Sequence, residues 1–161
     1  MKSLGTYVTR GAMRDNNLTT DTSRVLRIPL FDGRYDTAFV IRQFLVASQE
    51  PNNSGLDCSA IAMSALHIPV DTAGNLQWYW DDVRQLAWAS SFAGGGGTVE
   101  QSFNLADNRT FIVEDLYLVG ESNAALGAGT FINYYLELEK FEITDWEGAL
   151  AMASIASGAN E

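Results

Sequence analysis

The sequence has one cysteine, Cys58, and one histidine, His67. A lone thiol excludes an internal disulfide. The two residues together fall short of structural zinc, which takes four Cys/His ligands, and of catalytic zinc, which takes three protein ligands. A thiol–imidazole pair would need a third group to orient the ring; Cys58 and His67 share one segment with no such partner in view. Long hydrophobic runs are also missing. No stretch reaches the roughly 20 apolar residues of a membrane span. The opening Met1-Lys2-Ser3-Leu4-Gly5-Thr6 runs into polar sequence without the apolar core of a secretion signal. These absences lead to the expectation of a chain made in a cytoplasm, with no membrane partner and no cofactor.

Basic residues are scarce, ten against 20 acidic, for a net charge of −10. They are also unevenly placed: residues 1–45 carry +3 and the remainder −13. The acidic body repels a phosphate backbone, so nucleic acid is not its expected partner. A basic lead-in that includes Arg10 and Arg14, set against an acidic body, favours contact between copies of the chain.

What the sequence does have is apolar residues in alternation, 47% of the total, within a length that fits one compact domain. Residues 1–23 are polar and aperiodic and read as an N-terminal arm, leaving residues 24–161 as the domain. In the run 25–30, Leu26, Ile28 and Leu30 share one face, and Pro29 marks an edge or a strand end. Asp32-Gly33 signals a tight hairpin turn. The run 38–46 is apolar on both faces and reads as a central strand. Weaker strands follow near 59–66, 86–92 and 99–105, with the Trp-rich piece 76–80 before the second of these. The run 110–119 reads as one strong strand, with a bulge at Glu114-Asp115, and Gly120–Gly129 as a loop. The longest strand is 130–143, with Ile132, Tyr134, Leu136 and Leu138 on one face and a bulge near Lys140. Thr144 and Glu147 form a capping box, which predicts a short helix over about 145–157. Many short strands separated by turn signals indicate an all-β antiparallel sandwich or jelly roll with a short C-terminal helix.

The candidate chemistry is thin. Asp81-Asp82, Glu114-Asp115 and the pair Glu137 and Glu139 are the adjacent carboxylates, and no Gly-x-Ser-x-Gly elbow accompanies His67. The glycines at 94–97 lack the Lys-Ser/Thr of a phosphate loop. Trp78, Trp80 and Trp88 fall within eleven residues. Such a cluster belongs to a core, a subunit interface or a sugar-stacking platform. With Arg10, Arg14 and Trp146 they are the candidate interface or ligand contacts, and no catalytic or metal-binding residues are assigned.

Two segments carry a resemblance. Arg27-Ile28-Pro29-Leu30-Phe31-Asp32-Gly33-Arg34-Tyr35-Asp36-Thr37 resembles the opening of small virion proteins from environmental phages and viruses. Residues 110–143 are similar to the last two strands of single jelly-roll capsid proteins. The resemblance implies a virion structural role (capsid, decoration or tail-associated) assembled from copies of itself, with other virion proteins as further partners. The weakly basic arm departs from the Arg/Lys-rich arm of genome-packaging capsid proteins. The alternative reading is a lectin-like carbohydrate-binding sandwich using the three tryptophans.

Overall fold

The computed structural model describes residues 2–14, 23–50, 57–72, 75–93, 100–122, 131–144 and 150. Eight strands run through them: β1 (Lys2–Arg14), β2 (Ser23–Ile28), β3 (Thr37–Ser48), β4 (Asp57–Met63), β5 (Gln85–Ala93), β6 (Glu100–Ala106), β7 (Leu116–Ser122) and β8 (Phe131–Glu142). They form an all-β sandwich of two antiparallel sheets. One is three-stranded in the order β1-β8-β3; the other is five-stranded in the order β2-β7-β4-β5-β6.

The core lies between the sheets and is built by size complementarity. The inward residues of β4 and β5 are small (Ala60, Ala62, Ala87 and Ala89), and all are fully buried. Bulky Phe39, Ile41, Phe44 and Val46 of β3 join them in one cluster, together with Leu116 and Leu118 of β7 and Ile132, Leu136 and Leu138 of β8. Alternating small and large residues across facing layers is how an interior reaches crystal-like density.

The segment expected as a free arm is in large part a strand. Lys2–Arg14 pairs along its whole length with β8, from Lys2 opposite Glu142 to Arg14 opposite Phe131. Its pattern is mostly exposed, which is why it reads as an arm, but the ladder hydrogen bonds come from the backbone and need no apolar stripe. One side chain anchors it: Met13 is 1% exposed. A Cβ on Gly120 of β7 would come within 2.9 Å of the Met13 terminal methyl, so this glycine makes the room that Met13 fills.

Four other expectations are corrected. Asp32-Gly33 is not a hairpin turn, because β2 and β3 lie in different sheets. The Asp32 carboxylate instead organises a corner, accepting the Arg34 N–H at 3.0 Å, the Thr37 hydroxyl at 3.0 Å and the Lys140 ammonium at 3.0 Å, with Gly33 at φ +85°. The run 110–119 is not one strand. Ile112 bridges Phe39 of β3, and after Glu114-Asp115 the chain enters β7 in the other sheet, which continues through Gly120 to Ser122. Among the described residues β3 is thus the outer strand of its sheet by ladder, bridged on its far side only at Phe39, and β8 is the central one. The irregularity expected near Lys140 lies on the partner strand, between Ser3 and Gly5, where Gly5 takes φ +122°. The C-terminal helix expected over about 145–157, with Trp146, lies outside the described residues apart from Leu150, as does the glycine run at 94–97.

If β1 is docked as described, Met13→Ala lowers the unfolding free energy by about 2–4 kcal/mol, measured by chemical denaturation. An unchanged midpoint would mean that residues 2–14 are not part of the sheet.

Candidate functional site

The five-stranded sheet is covered on both faces. Its outward residues Ile61 and Met63 (β4), Trp88 (β5) and Val119 (β7) are buried, and Val25, Leu76, Trp78 and Tyr117 pack against them. The cover is the long connection between β4 and β5, described over residues 64–72 and 75–84. It folds back on itself: Val70 bridges Leu76, the Gln77 N–H donates to the Pro69 carbonyl at 2.7 Å, and the tip is closed by mutual bonds between Asp71 and Asn75.

A buried amide pins this layer. Gln85 is 2% exposed. Its Oε1 accepts the Tyr79 N–H at 2.8 Å and the Trp88 Nε1–H at 2.9 Å. Two donors on the oxygen fix the orientation of the amide, so its Nε2 faces His67 Nε2 at 3.4 Å. That ring nitrogen also lies 3.4 Å from an Asp82 carboxylate oxygen, and Nδ1 faces the Ala65 carbonyl at 3.4 Å. Asp82 completes the cluster. Arg84 grips it with two bonds, of 3.0 and 2.7 Å, and the Arg84 N–H adds a third at 3.0 Å. The Arg84 hydrogen bonds hold the Asp82 carboxyl below its ordinary pKa, against the desolvation that pushes it up. A carboxylate fixed in this way stays ionised, and the adjacent Asp81 is exposed.

The three tryptophans do come together, each with a different role. Trp88 is buried at 5% exposure, Trp78 is half-buried and Trp80 is 62% exposed. The Trp80 ring lies 6.1 Å from that of Trp88. Phe103 on β6, which composition alone does not single out, joins them. Its ring lies 5.7 Å from Trp78 and 6.4 Å from Trp80, nearly parallel to the latter at 10°. Leu105, two residues on, is also exposed. Phe103 and Leu105 alternate along β6 and share the face of Trp88, because Trp88 stands opposite Leu105 and Ser90 opposite Phe103.

The other candidates lie elsewhere. Arg10 and Arg14 project from β1, in the opposite sheet, and the Arg14 guanidinium rests 4.7 Å above the Phe131 ring. Cys58 is buried on the inner face, whereas His67 belongs to the outer layer. Glu139 bridges the three-stranded sheet, accepting the Ser3 hydroxyl at 2.7 Å and Arg42 Nε at 2.6 Å, and both bonds lower its pKa.

Gln85→Leu orphans the buried Trp88 indole N–H and the part-buried Tyr79 N–H, so it costs about 1–3 kcal/mol and changes the tryptophan fluorescence; an unaltered spectrum and midpoint would refute the anchoring role. Asp82 has a depressed folded pKa, so its contribution is full above about pH 4 and is lost as pH falls through the folded value. Asp82→Asn should flatten that acid limb in denaturation midpoints measured across pH.

No family model and no curated protein matches this sequence. Among solved structures, the lectin from Bauhinia forficata in complex with GalNAc aligns over 89% of this chain and 100% of its own, at 11% identity and a TM-score of 0.24.

Proposed function

We propose that this chain is a structural subunit of virion type, a single jelly roll that assembles with copies of itself in the particle. The observation that carries this reading is the strand order. β1 pairs with β8, β2 with β7 and β4 with β5, all antiparallel. Partners whose numbers add to nine are what results when one long hairpin is wrapped into two Greek keys, the jelly-roll arrangement. β6, which would complete the series against β3, runs beside it. Val46 of β3 and Ser102 of β6 line one cavity of about 370 Å³, and Phe44 and Leu105 line another of about 330 Å³. β6 takes its ladder from β5 instead.

A fold supports many functions, so the assembly reading needs surface support as well. β1 is a 13-residue edge strand with no second ladder partner among the described residues. Leu4, Tyr7 and Val8 on it are each more than 40% exposed. Long open edges invite pairing with another chain. The charges on β1 are all positive (Lys2, Arg10 and Arg14), on a protein of net charge −10. A basic edge on an acidic body attracts a second copy, and other virion proteins of acidic character could take the same edge. The acidic body disfavours a phosphate backbone.

Sedimentation velocity tests the proposal. The full chain should grow in mass with concentration, and raising the salt should weaken the association because exposed charges are screened. Arg10→Glu should shift the distribution toward monomer without moving the thermal midpoint. A strict monomer at every concentration would contradict the reading.

A further inference from the structure

The outer face of the five-stranded sheet carries a feature that assembly does not require. Cross-strand register lines up four outward side chains in one row: Glu121 on β7 opposite Ser59 on β4, Ser59 opposite Ser90 on β5, and Ser90 opposite Phe103 on β6. Three strand-to-strand steps make this row about 14 Å long. At its polar end a cavity of about 320 Å³ opens, lined by Glu121, Ser59, Ser90, Asp57, Asn75 and Phe92. At its other end stand Phe103 and Trp80, 44% and 62% exposed with rings nearly parallel.

We propose that this row is a binding site for a neutral oligosaccharide of two or three residues. Hydroxyls and carboxylates at one end and flat aromatic rings at the other are what a pyranose needs. Its hydroxyls donate to carboxylates and exchange bonds with serine hydroxyls, while its C–H face lies on aromatic rings. The cavity volume falls at the small end of ligand sites, which suits one sugar residue, and the aromatic end receives the next. The sign of the charge sets the class. Among the described residues lining the cavity there is no Lys or Arg, whereas Asp57 and Glu121 line it, so sialylated, sulfated or phosphorylated glycans should be disfavoured.

The site is also preorganised, which lowers the cost of ordering on binding. Glu121 accepts the Leu76 N–H from the connector. This bond orients the carboxylate at the mouth of the cavity. The Gln85 amide holds Trp88, against which Trp80 leans.

The test is a titration of the full chain with methyl pyranosides and neutral disaccharides, with sialyllactose as the anionic control, read by tryptophan fluorescence and by calorimetry. Saturable binding of a neutral sugar is expected, of roughly millimolar strength and at least tenfold weaker for the anionic control. Glu121→Gln keeps an acceptor for the Leu76 N–H yet should weaken binding about tenfold. Phe103→Ala should do the same, with circular dichroism and thermal midpoints of both variants checked against the parent chain. No saturation by any neutral sugar overturns the proposal, as does preference for sialyllactose. If Phe103→Ala and Trp80→Ala change sedimentation while no sugar binds, the strip is a protein contact and the proposal also fails. Loss of sugar binding leaves the concentration dependence of the mass intact, so the two readings fail separately.

Discussion

The side-chain amide of Gln85 is the constraint on which the outer half of this molecule depends. A sheet whose two faces are both apolar must be covered twice. The three-stranded sheet covers the inner face of β4 and β5, and residues 64–84 cover the outer one. A connection of that length needs an internal anchor besides the Leu76 N–H bond to Glu121, since ordering each residue costs about 1–2 kcal/mol in backbone entropy alone. Buried Gln85 supplies the anchor by satisfying the Tyr79 N–H and the Trp88 indole from one oxygen and reaching His67 from its nitrogen. Leaving any of these groups unpaired in the interior would be expensive, so the network selects one arrangement of the layer.

Two surfaces of different character follow. On the three-stranded sheet, β1 offers a long, basic, open backbone edge suited to adding another chain. On the five-stranded sheet, the pinned connector leaves Trp80 and Phe103 exposed beside a row of hydroxyls and carboxylates. The first surface bears on the proposed assembly and the second on the proposed sugar binding, and they lie on opposite layers of the sandwich.

Much of the strand content is legible in the sequence, because alternation is a local property. Ile132, Leu136 and Leu138 announce β8, and the apolar run from Ala38 to Val46 announces β3. Which sheet a strand joins is not local. Asp32-Gly33 carries a hairpin signature, yet Asp32 spends its carboxylate on Thr37 and on distant Lys140, turning the corner from one sheet to the other. Glu114-Asp115 likewise marks a crossing between sheets, with Asp115 accepting Arg27 Nε at 2.6 Å. β1 escapes recognition because its stability resides in ladder bonds to β8 and in one buried methionine. At the candidate site, the tryptophan cluster is visible from spacing alone. Phe103 and Gln85 are not, since their importance arises from register across β5 and β6 and from burial. The signal present for Phe103 is its alternation with Leu105, two large apolar residues on one face of a strand whose neighbours are polar.

Residue-resolved amide hydrogen exchange on the intact chain tests this account most directly. The Tyr79 amide, which lies outside every strand but donates to Gln85, should exchange as slowly as the amides of β4 and β5, and should become fast in a Gln85→Leu chain. A Tyr79 amide that exchanges at the rate of an open loop in the parent chain would contradict the pinned outer layer and the recognition surface built on it.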